Sequence, residues 1–459
     1  MKHKTLWHWM GVCLSLFLTA CSTHTSRNDF AEQATQESHI LIKSKESEWY
    51  QLNNVASVSY LTDLIQDREL TNLIQQALTA NPDLQKMMLT LQASAWQLKS
   101  THGSRLPGIE AGFASDKSEG SNTNYNADIS VSWEADFWGK LANTEAAAAK
   151  TLASDQATYQ ESQDILVANV MKSWLALIFK QHLIDIEAQR LALLETNATR
   201  LIQRFKKGLN DLEELDEART SSSQSRADLV QYKEDLIIES RELQRYLGSA
   251  TTLTTIPNRY YPKINLTLES LPEQNLQRRP DLKAAYLAIQ AADLNVSVAY
   301  KDMLPTISLK ATLSDTASSP SSALFGSPIW SLLAQLTQPL YQGGQRQAAV
   351  EVAKLKTAQA YQDYRNTLLT AVNDVENAIG QEKVLTKQVL NIQQALRSSR
   401  KNLIRYEAKY RTGLVELNDL IRVQEATFDL AAELNSLIYQ HLTNRVDLGL
   451  ALGLGVNAS

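Results

Sequence analysis

The chain has 459 residues, of which 21% are charged, with a formal net charge of −5. Beyond the first twenty residues no run of eighteen consecutive apolar residues occurs, which argues against a membrane-spanning helix. The mild acidity and the lack of a Lys/Arg cluster argue against nucleic acid as a partner.

Residues 1–20 differ from the rest: Lys2 and Lys4 precede an apolar stretch from about Trp9 to Leu18. A basic start, a short apolar region and a small residue before the cut describe a secretory signal. The ending Leu18-Thr19-Ala20-Cys21 resembles the bacterial lipobox, which implies lipidation of Cys21 as the first mature residue. In that resemblance Ser22, not being Asp, permits transfer to the outer membrane. Removing the leader discards two lysines and Cys13, taking the formal charge to −7 and leaving Cys21 alone. One cysteine allows no disulfide framework and no thiolate metal site within the chain.

Residues 21–66 are read as an anchor followed by an extended polar segment, rich in Ser, Thr, Glu and Gln. A helix starts near Asp67 and pauses at Asn81-Pro82-Asp83-Leu84, where Asn81 is a cap and Pro82 a first helical residue. After Pro107 the period changes to two: Ile109, Ala111 and Phe113 alternate, then Ala127, Ile129, Val131 and Trp133 across a polar loop. This predicts a β-hairpin over 106–137 with strands of transmembrane length.

From Leu141 to Lys207 the chain contains neither Gly nor Pro. At 1.5 Å per residue such a helix is a rod of roughly 100 Å. Val170, Leu177, Ile184, Leu191, Ala198 and Phe205 recur every seventh residue, which makes the rod coil around a partner. Gly208 ends it as an αL residue and the chain returns to Leu247, a helical hairpin over 141–247.

The order then repeats. Arg279-Pro280-Asp281-Leu282 and Leu304-Pro305-Thr306-Ile307 echo the first copy at an offset of 198, and Gly413, Leu420 and Gly453 echo Gly208, Leu215 and Gly248 at 205. A second β-hairpin is expected over 304–340 and a second helical hairpin over 345–451, its stripe of Val375, Val389, Leu396, Leu403 and Tyr410 broken by Glu382. Coincident prolines, glycines and strands at constant offsets indicate internal duplication. The chain therefore divides into a leader (1–20), an anchor segment (21–66), a first repeat (67–248), a connection (249–272), a second repeat (273–453) and a tail (454–459).

Four strands per chain cannot close a barrel, and an open edge in lipid leaves backbone groups unpaired. Eight, twelve or sixteen strands would make a dimer, trimer or tetramer, and geometry alone does not choose. Phe137, Trp138 and Tyr341 at one end of the strands, with Tyr125 and Trp330 at the other, fit two interfacial aromatic belts.

The run Asn81-Pro82-Asp83-Leu84, its echo Arg278-Arg279-Pro280-Asp281-Leu282, Pro339-Leu340-Tyr341-Gln342-Gly343-Gly344 and the two glycine-tipped hairpins resemble the outer membrane factor family of TolC-like exit ducts. With the lipobox, the chain is most similar to the lipoprotein branch serving resistance-nodulation-division efflux systems. The resemblance implies an α+β membrane protein: a homotrimer with a shared twelve-stranded barrel in the outer membrane and a twelve-helix barrel in the periplasm. It also implies a passive efflux channel whose partners are a periplasmic adaptor, an inner-membrane pump and outer membrane lipid. A type I protein-secretion duct would share the fold. A structural periplasmic coiled-coil lipoprotein has no place for the four alternating segments.

The seven histidines show no pair at metal-ligand spacing and no phosphate loop is present, so no enzyme, cofactor or metal site is expected. The expected sites are mechanical. Gly208, Leu209, Gly413 and Leu414 form the tips where an adaptor docks. Asp211, Glu213, Glu214, Glu416 and Asp419 either line a cation-favouring constriction or complement helix dipoles. Arg405 and Tyr406 are candidates for tethering the helices in a closed state.

Overall fold

The computed structural model describes residues 29–49, 60–208, 211–250, 260–264 and 278–456. The leader, Cys21, Leu209 and most of the connection at 249–272 lie outside the described residues. Within the expected extended segment stands a helix instead, α1 (Phe30–Trp49). Its polar composition hides a narrow stripe: Ala34 and Ile42 are buried, and Phe30 lies 5.2 Å from the Tyr361 ring. Glu37 completes the contact by accepting from Tyr361 Oη at 2.9 Å and Arg365 Nε at 2.6 Å. Tertiary packing, rather than helix propensity, thus decides this segment.

The first repeat opens with α2 (Arg68–Ala80), capped by Asp67 Oδ1 accepting from the Leu70 amide at 3.0 Å. Asn81 caps α3 (Pro82–Gly103) through the Leu84 amide at 2.9 Å, with Pro82 at the first position. The strands β1 (Gly108–Asp116) and β2 (Asn124–Ala135) lead into α4 (Lys140–Lys206), and α5 (Leu212–Tyr246) returns. In the second repeat α6 (Pro280–Lys301), β3 (Thr306–Ala317), a short α7 (Pro320–Phe325), β4 (Ile329–Thr337), α8 (Gln345–Arg411) and α9 (Leu417–Ala451) follow the same order. Both long helices have 67 residues and both returning helices 35. The loop expected between β3 and β4 is where the copies differ, because it holds α7.

Contacts along α4 show how a stave is assembled. His102 on α3 meets Glu145 at 2.8 Å, whereas on α5 Glu239 accepts from Ser173 at 2.7 Å. Both shorter helices therefore run antiparallel to α4, one beyond the other, and the end of α5 meets the start of α3. Asn81 Nδ2 seals this joint by donating to the Tyr246 carbonyl at 2.9 Å. In the second copy Arg279 takes over the task, donating to the Ala451 carbonyl at 3.3 Å while paired with Asp281. Gly248 has φ +62°, and a Cβ there would collide with the Ala80 carbonyl, so the joint closes only around glycine.

The main core surrounds these joints: Leu64, Trp174, Met171, Leu368, Val375 and Val446 all lie in one buried cluster. Full burial of such side chains contributes about 1.5–3 kcal/mol each. The heptad stripe of α4 is buried at Val170, Leu177, Ile184 and Ala198, half-buried at Leu191 and exposed at Phe205.

The four strands form one antiparallel sheet in the order β1-β2-β3-β4. Its register sets Phe113 opposite Ala127, Ile129 opposite Leu313, and Leu313 opposite Trp330. On that face the pairs from Ile109 opposite Val131 to Ile307 opposite Leu336 are apolar up to the loop end, where Asp315 stands opposite Ala127 and Ser115 opposite Tyr125, whereas the other face carries Glu110, Ser130, Lys310 and Thr312. Strand alternation with one largely apolar, largely accessible face is the pattern of a lipid-facing barrel wall. A scaffold of coiled coils alone does not account for it.

Candidate functional site at the helical tips

Two turns reverse the long hairpins. At the first, the Gly208 amide donates to the Phe205 carbonyl at 2.9 Å and Gly208 adopts φ +70°. At the second, Gly413 (φ +73°) lets the Leu414 amide reach back to the Lys409 carbonyl at 2.9 Å, satisfying the end of α8. A Cβ at either glycine would meet nothing within 4 Å, so the left-handed backbone alone selects glycine there.

Below the turns all four helix ends share a small core: Ala198 and Leu201 of α4, Leu215 and Ala218 of α5, Leu417 and Leu420 of α9. From α8, Leu403, Tyr406 and Tyr410 close it. Tyr406 thus helps bind the hairpins within one chain, with the Lys409 ammonium 5.5 Å from its ring centre. Arg405, its neighbour in the helix, is exposed. Leu414 stands 74% exposed at the turn, an apolar side chain with no core to enter.

The acidic residues divide by role. Asp211 caps α5, accepting from the Glu214 amide at 3.0 Å. Asp419 pairs with Arg422 at 3.0 Å on the exposed face of α9. Burial raises the Glu214 carboxyl above its ordinary value, and the nearby charges of Asp211 and Glu416 add to it. That shared field places carboxylates of both hairpins in one neighbourhood. Glu416 precedes α9 without a side-chain cap bond.

Sequence reasoning missed the polar seam between the hairpins. Buried Asn197 on α4 donates to Gln424 on α9 at 2.9 Å, and Arg190 pairs with Asp429 at 2.6 Å. Asn435 Nδ2 donates to the Phe179 carbonyl at 3.0 Å beside the stacked rings of Phe179 and Tyr439. Asn197 beside stripe residue Ala198 was the available signal; its partner 227 residues away was not. Glu382, which interrupts the stripe, is buried and accepts from His441 Nε2 at 2.8 Å and from Arg445 Nη2 at 2.8 Å. Burial pushes its carboxyl up, but the hydrogen bonds and charges of His441 and Arg445 outweigh that and hold it below the ordinary value.

Comparison with known families settles the membership. The outer membrane efflux protein family matches residues 73–249 and 271–454, one span per repeat. The chain belongs to this family. Similar curated proteins include the cation efflux system protein CusC of Escherichia coli K12, 25% identical over 454 residues that cover 96% of this chain and 98% of that one. The probable outer membrane lipoprotein SilC of Salmonella typhimurium is 26% identical over 402 residues, covering 85% and 86%. Outer membrane protein OprJ of Pseudomonas aeruginosa is 27% identical over 414 residues, covering 85% of each chain. Among solved structures, the Campylobacter jejuni CmeC outer membrane channel superposes with a TM-score of 0.81 at 20% identity, covering 90% of this chain and 92% of that one. A crystal structure of CusC gives 0.79 at 23%, covering 88% and 96%. The chain therefore has the outer-membrane channel fold, with four strands and two helical hairpins from an internal repeat, and is an outer membrane component of efflux.

Proposed function

We propose that three copies of this chain close into a passive exit duct, a twelve-stranded barrel continuous with a helical tunnel. The observation that carries this is the pair of raw edges left on a single chain. β1 and β4 end the sheet with unpaired sides while its apolar face points outward. Along the helices, Val230, Ile237 and Ile238 on α5 and Leu355, Val384 and Ile404 on α8 are exposed apolar residues on the outermost staves. Both edges are satisfied at once when β1 and α5 of one copy meet β4 and α8 of the next. Three is the number implied by the outer membrane factor resemblance.

The duct holds no energy source of its own in this reading, so an inner-membrane pump supplies it through a periplasmic adaptor. The adaptor seats on the turns at Gly208 and Gly413, with Leu414 as an apolar contact, and spreads the small core beneath them. Cys21 anchors the mature chain through its lipid, and the cargo is a small molecule such as a drug or a toxic compound. Relatives whose names specify cation, pyoverdine or antibiotic export span the choices. Reconstitution in a planar bilayer tests the reading. A low resting conductance that rises when tip contacts are cut, as in Tyr406→Ala, is expected; a particle that never conducts refutes it.

A further inference from the structure

The second repeat carries a surplus of seven residues, the difference between its two offsets, located between the start of β3 and the start of β4. The surplus includes α7, a helix with no counterpart in the first repeat. Its setting is unusual in charge: from Thr316 to Gln345 thirty consecutive residues include no Asp, Glu, Lys, Arg or His, in a chain 21% charged. The corresponding first loop carries Asp116, Lys117 and Glu119. A loop standing in water gains nothing from losing every charge, whereas one seated in hydrocarbon avoids a depth-dependent cost of up to about 2–4 kcal/mol per cation.

The geometry points the same way. α7 lies over the loop end of the sheet and encloses a groove of about 370 Å³. Of the strand residues lining it, Phe113, Ala127, Ile129 and Leu313 belong by register to the apolar face, Asp128 and Asp315 add two carboxylates, and Leu324 of α7 forms the opposite wall. Ala323 is buried against the sheet, while Leu324 is 55% and Phe325 85% exposed. Ser319 caps the helix through the Ser322 amide at 3.3 Å, and the Ala323 amide donates to the Ser319 carbonyl at 3.1 Å. Two amides of the first turn thus find partners within the segment, which lowers the cost of seating it in lipid. Asp315 stands opposite Ala127 in the row of the groove nearest the loops.

We propose that the groove between α7 and the apolar face of the sheet binds an acyl chain of an outer-leaflet lipid, with α7 seated in the leaflet beside it. The groove is continuous with the lipid-facing wall, and its loop end lies farthest from the periplasmic helices. This rests on the barrel reading above, because the apolar face must point to lipid.

Photo-crosslinking in intact outer membranes separates the two. The variants are Leu324→p-benzoyl-phenylalanine in the groove, Val131→p-benzoyl-phenylalanine on the apolar face outside it, and Ser121→p-benzoyl-phenylalanine in the charged first loop. After illumination, mass spectrometry should find a lipid adduct at positions 324 and 131, with fragment ions placing the bond on an acyl chain, and none at 121. An adduct at 131 with only protein cross-links, or none, at 324 overturns the proposal. Loss at both positions overturns the barrel reading itself. Phe325→p-benzoyl-phenylalanine, which does not fill the groove, reads the seating of α7 separately: absence of lipid there also counts against the proposal.

Discussion

Leu177 and Glu382 occupy the same place in two copies of one hairpin, 205 residues apart, and both are buried. Around Leu177 the returning helix offers Leu236 and Ser240; around Glu382 it offers His441 and Arg445. At this position the first hairpin buries an apolar side chain, with the Ser173–Glu239 hydrogen bond one turn away, and the second buries a carboxylate held in a cluster by Arg445 and His441. Arg445 extends the cluster by donating to the Ile264 carbonyl at 3.1 Å, so it also clasps the strap between the repeats. The comparison teaches that duplication preserved the shape of the staves and left the chemistry of their seams free to diverge. A buried ion pair adds little net stability over apolar packing, but it makes one hairpin sensitive to proton concentration and to loss of a partner.

The sharpest break in the comparison is Leu177→Glu, which places a carboxylate in the first hairpin without the Arg and His partners of the second. We expect no folded protein in the outer membrane, a loss above about 4 kcal/mol, with partial recovery when Leu236→His and Ser240→Arg are added. Recovery failing in the triple variant would show that the cluster depends on more than these three positions. Next is Arg445→Ala, expected to cost about 3–5 kcal/mol in denaturant unfolding because Glu382 stays buried with a partner missing. The apolar triple variant Glu382→Leu, His441→Leu, Arg445→Leu should restore most of that stability.

Acidification should separate the hairpins without mutation. The folded-state value of Glu382 is depressed below 4.5, so its contribution is present above the unfolded value and disappears as pH falls through the folded one. Amide exchange in α8 and α9 around Glu382 should therefore accelerate below about pH 4.5, with less change around Leu177. Asp164 carries the opposite sign. Burial raises it despite the Val456 amide at 2.9 Å and Gln160, so its contribution is complete below the unfolded value and declines as pH rises through the folded one. The smallest effect falls where the copies do not differ. Gly208→Val and Gly413→Val should each cost about 1–2 kcal/mol through backbone strain, and by similar amounts, read as matched drops in melting temperature and in export. Unequal losses would mean that one turn meets a partner the other does not.

Much of this architecture was legible because its signals are local. Asn81-Pro82, Gly208 and the alternation from Ile109 each encode a cap, a turn or a strand within a few residues, and the element boundaries follow closely. The duplication doubled each signal. What escaped depends on distant partners: α1 is helical because Tyr361 and Arg365 receive it, and Glu382 reads as a flaw until α9 supplies Arg445 and His441. At the tips, the sequence marks the turns and the acidic residues. Only the fold shows that Asp211 caps α5, that Tyr406 belongs to the shared core and that Arg405 is exposed on a single chain.

Shared closure of the sheet is the claim on which the duct reading depends, and the number of chains per particle tests it most directly. Native mass spectrometry of the protein extracted from the outer membrane should show three chains and no free monomer. A stable particle of one, two or four chains would contradict the twelve-stranded barrel and the continuous duct built on it.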